Sequence, residues 1–533
     1  MAEKTYIIGI DQSTQGTKAL LFDRRGLLLG REDLPHRQIV NGQGWVSHDP
    51  EEIYSNTVQV VRRLLQSQRV APEHVAALGI SNQRETSLVW ERKTGRPVAD
   101  AIVWQCARAE SVCERVKAQG VAEQIRQKTG IPLSPYYPAS KLAWLLENTE
   151  QAKEKAARHE LCMGTVDTWL VYKMTCGSVY KTDYSNASRT QLFNIFDLKW
   201  DEEICGLFGI DPGDMAEVCD SDSVFGETDL EGTFPHPIPI HGVLGDSHGA
   251  LFGQGCLEKG MIKATCGTGS SIMMNIGESP VLSTHGVVTS LAWGMGGKVN
   301  YVLEGNINYT GAVISWLKDE VGLIASAGET EEISREAVQD DSLYFVPAFT
   351  GLGAPWWDSR ATGSLSGITR TTGKKEIVRA CVECIAYQIA DVVNAMSADA
   401  RQADETACQD GAKTCADVKE PVSRTDGASA KENAPRMDDA LIKELRVDGG
   451  PTRNGYLMQF MSDILGASVL VPDAEELSGI GAAYAAGIGV GLYGKDIFDG
   501  ARRKVYLPRM SEKMRDKKYS GWKRAVAGVL TKE

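Results

Sequence analysis

The chain of 533 residues lacks the features that would place it in a membrane or on a nucleic acid. No apolar run is long enough to span a bilayer, and Met1-Ala2-Glu3-Lys4 opens no apolar signal-peptide core, so a cytoplasmic protein is expected. There is no basic excess either. Lys and Arg number 57 against 70 Asp and Glu, a net charge of −13. That argues against a general nucleic-acid binder, which neutralises phosphates with clustered cations, but leaves a local phosphate site open. Cysteine itself is not scarce, at 12 residues, but patterned cysteine is. Cys381-Val382-Glu383-Cys384 has redox spacing, yet lies in a helix-like run from Lys375 to Met396 with no second pair or histidine nearby. Reduced, mostly buried thiols are therefore expected.

What the chain does contain is too much sequence for one core, and two domains of roughly 200–300 residues are expected. Strand-like and helix-like runs alternate, which favours α/β domains. Val75 to Ile80 reads as a buried strand, while Glu51 to Gln66 and Lys141 to Asn148 read as helices. Ala250 to Gly255 reads as a helix leading into the second half, and the main boundary is placed near residue 252, giving domains 1–252 and 253–533. From about 398 to 438 the chain has no aromatic residue and no Leu or Ile. It cannot bury enough apolar surface to offset its ordering entropy, so it reads as an exposed polar insertion between a helix ending near Met396 and a strand from Leu441 to Val447.

Two hairpins carry the chemistry. Tyr6 to Ile10 leads into Asp11-Gln12-Ser13-Thr14-Gln15-Gly16-Thr17-Lys18, and then Ala19 to Asp23 resumes the strand character. In the second half Gly267-Thr268-Gly269 lies between two further strand-like runs. Both are strand, small polar turn, strand, where glycine and small residues let backbone N–H groups approach phosphate oxygens. Two such hairpins suggest two related domains facing one nucleotide. About twenty residues before the second turn, the apolar run Ile238 to Leu244 ends in Gly245-Asp246-Ser247-His248-Gly249. A carboxylate there is either a helix N-cap or a general base.

Longer stretches resemble the FGGY family of carbohydrate kinases over nearly the whole chain. They are Ile80 to Thr86, Ala101 to Cys106, Gly164 to Leu170, Asp183 to Thr190, Pro347 to Pro355 and Arg446 to Gly450, with the family's two signature regions at Tyr136 to Asn148 and Gly363 to Glu383. The resemblance implies two duplicated actin-like, ribonuclease-H-like ATPase domains with ATP in the cleft between them. It implies ATP-dependent phosphorylation of a polyol hydroxyl, foremost glycerol to sn-glycerol 3-phosphate, with Mg2+ as cofactor and a homodimer or homotetramer as the assembly. The same chemistry on a longer polyol or ketose is the alternative, and a non-catalytic actin-like ATP-binding sensor a more distant one. Neither nucleic acid nor a membrane span is expected.

Site residues follow from the same resemblance. Asp246 takes the base's position, and Asp11 with Asp246 faces Mg2+, in the case of Asp11 through water. Arg84 and Glu85 hold adjacent hydroxyls, one accepting from the guanidinium and one donating to the carboxylate; alone, such a pair reads as a surface ion pair. Trp104 and Tyr136 face the carbon skeleton, with core packing the other reading of Trp104. Thr14, Gln15 and Gly16 form the first phosphate loop, Thr268 the second clamp, and Gly311, Ser315, Gly450 and Asn454 the adenine-nucleotide side. Lys18 stands where the family carries arginine, which keeps the charge and loses the planar fork. Ser247 and Ser271 replace a glutamine and a phenylalanine of the glycerol pocket, and Ser315 a nucleotide-side glutamine. The first two enlarge and polarise the acceptor pocket, since a phenylalanine alone offers about 150–250 Å2 of contact.

Overall fold

The structure is a computed structural model that describes residues 3–338, 342–409, 442 and 444–531. Its frame is two mixed sheets built on one plan. In the first, Tyr6–Gln12 pairs antiparallel with Gly16–Phe22, which pairs antiparallel with Leu28–Pro35. On its other side Tyr6–Gln12 runs parallel to Val75–Asn82, and that strand parallel to Ile238–Gly245. The second sheet repeats the order. Ile262–Cys266 pairs antiparallel with Ser270–Gly277, and Ser270–Gly277 with Lys298–Ile307. Glu444–Asp448 and Ser468–Pro472 add in parallel on the far side. Each hairpin turn therefore sits at the same corner of its own sheet, next to the C-terminal ends of the parallel strands, where open α/β sheets bind ligands.

The outer faces of the two sheets have separate cores. Ile8, Ile10, Leu78 and Ile80 pack against the amphipathic helix Pro50–Ser67, which Asp49 caps by accepting from Glu51 N and Glu52 N. Ile272, Met274, Ala264 and Val447 pack against the long helix Lys374–Gln409. A smaller sheet that contains Ser87–Glu91 and Leu161–Thr165 forms a third core with the helix Pro138–Asn148.

Two helices fill the space between the sheets. Asp246–Gly253 follows directly from the strand Ile238–Gly245, and Leu477–Gly489 packs both on it and on the first sheet. The second helix is made of small residues because nothing larger fits. A Cβ at Gly481 would lie 1.9 Å from Gly249 O, and one at Gly79 of the first sheet 2.2 Å from Ala482 O. Thus a segment late in the chain seals the first sheet, and Ile7, Leu20, Phe22 and Ala77 share one cluster with Leu477, Ile480, Ala483 and Ala486.

Three sequence expectations need correction. The long helix does not end near Met396 but runs to Gln409, so the polar segment read from 398 begins as helix. Asp399 is buried there, accepting from Ser283 Oγ at 2.5 Å and His285 Nδ1 at 2.7 Å, and Asp404 takes Lys259 Nζ at 2.7 Å. Polar composition misled because these side chains are paired across the fold. Residues 410–438 of the expected insertion lie outside the described residues. The strand expected over Leu441 to Val447 reaches Asp448, its described part being Glu444–Asp448, and the helix expected from Ala250 begins four residues earlier, at Asp246. Among the described residues no helix is long and apolar enough to cross a membrane.

Candidate active site

Asp246 is the first residue of its helix, after the N-cap Gly245, where a carboxylate is favoured by the helix dipole. Its Oδ1 accepts from its neighbour Ser247 N at 2.6 Å and from Arg84 Nε at 3.1 Å. Arg84 lies two residues beyond the parallel strand Val75–Asn82 and is buried. Its remaining nitrogens form a fork onto Glu304, Nη1 to Oε2 at 2.9 Å and Nη2 to Oε1 at 2.8 Å, and Nη2 also reaches Ser247 Oγ at 3.3 Å. Glu85 is held differently. Its backbone is left-handed, with φ of 61°, and its Oε1 accepts from Arg189 Nε at 2.6 Å, while Arg189 Nη1 lies 2.9 Å from Glu304 Oε2. Two arginines and two glutamates thus form a buried, charge-balanced quartet linked in the order Arg84, Glu304, Arg189, Glu85. A left-handed glutamate costs on the order of 1–3 kcal/mol, so the surrounding bonds fix where its carboxylate stands.

The electrostatics follow from burial. Burial raises the Glu304 carboxyl, yet Arg189 and Arg84 together hold it well below the usual carboxylate range. Asp11, on the strand Tyr6–Gln12, is pushed up to about 6 by burial, against the pull of Lys18, with Glu476 and Asp246 adding negative charge nearby. Lys141, buried and donating to Tyr136 O, is pushed down to about 7 by burial. Tyr136 stands edge-on to Trp104 at 5.6 Å, and Trp104 Nε1 donates to Thr14 Oγ1 at 3.0 Å. The half-buried indole therefore joins the Tyr136 ring to the first hairpin.

The two loops are mounted in different ways. Ser13 N donates to Gly16 O at 2.9 Å, closing the first hairpin, and Gln15 is exposed at its tip. Lys18 lies opposite Asp11 in the ladder, with its Nζ 3.6 Å from Asp11 Oδ2 and 2.7 Å from Glu476 Oε2. In the second loop Gly267 O accepts from Gly311 N at 2.9 Å, and Thr268 O from Thr310 N at 2.8 Å. Thr268 thus stands exposed beside the N-terminus of the helix Gly311–Asp319, where N–H groups and dipole favour an anion.

Behind this second loop opens a cavity of about 650 Å3, which Gly311, Ser315, Gly450 and Asn454 line together. Ile314, Val382, Ile385 and Leu457 give it apolar walls, as a planar ring would need. Asn454 also caps the helix Gly455–Leu465 through Leu457 N at 2.9 Å and donates to Thr330 Oγ1 at 3.0 Å. Ser271 sits opposite Asn306 and two residues from Met273, which pairs with Glu304, so Ser271 shares the sheet face of Glu304. Its buried Oγ has no hydrogen-bond partner among the described residues.

The structure thus gathers Asp246, Arg84, Glu85 and Ser247 at the buried quartet with Ser271 on the sheet face of Glu304, Asp11, Thr14, Gln15, Gly16 and Lys18 at the first hairpin with Trp104 and Tyr136 beside it, and Gly311, Ser315, Gly450 and Asn454 at the cavity behind Thr268. Sequence reasoning missed Glu304 and gave Arg189 no role. The signal for Glu304 was a lone carboxylate inside the apolar run Tyr301-Val302-Leu303-Glu304, which only a buried partner explains.

Comparison with known proteins covers the whole chain. The profile of the N-terminal domain of the FGGY family of carbohydrate kinases matches residues 6–253, and that of the C-terminal domain residues 262–490. A glycerol kinase of Carboxydothermus hydrogenoformans is 45% identical over 526 residues, 98% of each chain. Glycerol kinase 1 of Thermotoga maritima is 43% identical over 531 residues, 99% of this chain and 100% of that one. Among solved structures, Plasmodium falciparum glycerol kinase with ADP superposes with a TM-score of 0.87 at 32% identity, covering 100% of both chains. A xylulose kinase of Lactobacillus acidophilus, at 21% identity and a TM-score of 0.81 over 98% of each chain, shares the fold.

Proposed function

The chain belongs to the FGGY family of carbohydrate kinases, and from that premise we propose that it transfers the γ-phosphoryl group of ATP to a terminal hydroxyl of glycerol, giving sn-glycerol 3-phosphate and ADP. It is an ATP-dependent kinase acting on a small polyol or sugar. The choice of glycerol is supported by the glycerol kinases that match it from end to end. The geometric observation that carries the chemistry is the 3.1 Å bond between Arg84 Nε and Asp246 Oδ1, which ties the proposed base to the proposed acceptor clamp.

In this reading the Arg84 guanidinium and the Glu85 carboxylate hold neighbouring hydroxyls of the acceptor, and the Trp104 and Tyr136 rings cover its carbons. Asp246 accepts the proton of the attacking hydroxyl as the new phosphorus–oxygen bond forms. Glu304 and Arg189 keep the clamp from shifting, because Glu304 is ion-paired to both arginines and Arg189 to both glutamates. Thr14, Gln15, Gly16 and Thr268 receive phosphate oxygens, Lys18 adds a positive charge, and the cavity lined by Gly311, Ser315, Gly450 and Asn454 takes the adenosine.

Asp11 and Asp246 fit a magnesium ion of the nucleotide complex. Magnesium favours oxygen donors, keeps several waters, and takes one or two carboxylates beside substrate phosphates. Among the described residues no three His, Cys, Asp or Glu side chains cluster to hold a metal unaided. The two carboxylates do lie close enough for Asp246 to raise the Asp11 pKa, a repulsion that a cation relieves. When bound, the ion would draw charge from the phosphate oxygens.

A second reading keeps the chemistry and lengthens the acceptor. Ser271 favours it, since a small side chain with a buried, unpartnered Oγ stands on the face of Glu304 where the family carries a bulky ring. The test is kcat/KM over glycerol, dihydroxyacetone, tetritols, pentitols and pentuloses with ATP. Glycerol is expected to lead, and a tetritol or pentulose in first place would select the second reading.

A further inference from the structure

The first loop is anchored from behind, carbonyl by carbonyl. Ser13 O accepts from Gln12 Nε2 at 2.9 Å and Gln83 Nε2 at 3.4 Å, Thr14 O from Gln38 Nε2 at 2.6 Å, and Gln15 O from His36 N at 3.2 Å. A trans peptide points its C=O and the following N–H in opposite directions. Fixing the carbonyls of Ser13 and Thr14 therefore turns the N–H groups of Thr14 and Gln15 to the other side. Among the described residues, those two N–H groups donate no hydrogen bond.

The anchors meet at one ring. His48 is fully buried, with Nε2 2.6 Å from Gln38 Nε2 and Nδ1 3.3 Å from Gln83 Nε2, and the His36 ring packs edge-on against it at 4.5 Å. Both of its nitrogens thus face amide NH2 groups. A charged ring would set an N–H against an NH2 on each side, whereas the neutral ring keeps one nitrogen able to accept from an amide, and burial pushes the His48 pKa down to about 3. Gln83 is held in turn by Gln12 Oε1 at 3.1 Å and by Thr86 Oγ1, which donates to it at 2.8 Å. The second loop is built to the same end by other means, its carbonyls of Gly267 and Thr268 being held by backbone N–H groups of residues 310–312.

We propose that Gln38, His48 and Gln83 are positioning residues for the nucleotide's phosphates, holding the loop carbonyls so that the N–H groups of Thr14 and Gln15 stand ready for phosphate oxygens. The proposal rests on the kinase reading above. No residue of this shelf touches substrate; it acts through the loop.

The test separates phosphate from nucleoside. Gln38→Met keeps the length of a half-exposed side chain and removes both amide donors, and His48→Asn removes the hub. Binding of ATP, ADP and adenosine is measured by calorimetry on the full chain, alongside the thermal midpoint. Losing one loop anchor should weaken ATP and ADP about 3- to 10-fold, with adenosine binding and the acceptor KM as in the wild type. A proportional loss for adenosine would mean general damage and overturn the proposal, as would unchanged ATP affinity in Gln38→Met. If His48→Asn fails to fold, Gln38→Met decides alone. Wild-type protein that binds no ATP would overturn the kinase reading itself, whereas normal wild-type turnover with an unchanged ATP-to-adenosine ratio in the variants overturns only the shelf.

Discussion

At the scale of single residues, Asp246 and Glu304 are both carboxylates bonded to Arg84, and their surroundings separate their roles. Asp246 is about a third exposed at a helix start and free to meet an acceptor, while Glu304 is fully enclosed. Asp246→Asn keeps shape and most bonds but accepts no proton, so kcat should fall about 10²–10⁴-fold while ATP and glycerol bind nearly as before. Near-normal turnover in a folded Asp246→Asn protein would remove it from the chemistry. Glu304→Gln is a stability experiment instead. Breaking a buried ion pair from one side costs about 3–5 kcal/mol, here through Arg84 and Arg189 left without a counter-charge. Because the folded Glu304 carboxyl titrates below its ordinary value of 4.5, its stabilisation is complete above that pH and is lost progressively as pH falls below it. The gap in urea midpoint between wild type and Glu304→Gln should therefore be wide at about pH 7 and narrower at about pH 3.5. A gap that stays constant would deny that Glu304 is held ionised. Asp246 stood out in its local motif as a cap or a base, whereas the Arg84-Glu85 pair read alone as a surface ion pair and took its role only from the family resemblance. Glu304 and Arg189 were not singled out, because their importance comes from meeting partners 104 to 220 positions away in sequence.

At the scale of elements, hairpins and buried strands could be read from the chain because their pattern is local: apolar runs broken by small polar turns. Two helices could not. The stretch Ala398 to Gln409 is polar, and it is helical because Asp399 and Asp404 find partners on another segment. Leu477–Gly489 is apolar on all sides, so periodicity marks no face, and its glycines argue against a helix until the two packing neighbours are known. Those glycines give a signed prediction. Gly481→Ala forces a methyl against the Gly249 backbone and should destabilise by about 1–3 kcal/mol, lowering the thermal midpoint. Gly206→Ala, on the exposed side of the helix Glu202–Leu207 with open space around it, should stabilise by about 0.5–1 kcal/mol. Equal effects would mean that the contact between the two inner helices is looser than drawn.

At the scale of the whole molecule, duplication accounts for the two hairpin turns proposed as phosphate loops, beside a single proposed acceptor clamp. Each sheet contributes its hairpin, and the strand ends and inner helices between them bring Arg84 and Asp246 from one half against Glu304 from the other. The proposed acceptor frame is therefore assembled across the molecule, and the cavity proposed for adenosine is lined by residues of the second half. The expected chemistry is complete transfer, not ATP hydrolysis. The measurement that tests this most directly is a reaction of the full chain with terminally labelled ATP, magnesium and glycerol, followed by identification of the labelled product. The account predicts that label leaves ATP only when glycerol is present and appears in sn-glycerol 3-phosphate in step with ADP. Label released as inorganic phosphate at the same rate with or without glycerol would contradict it.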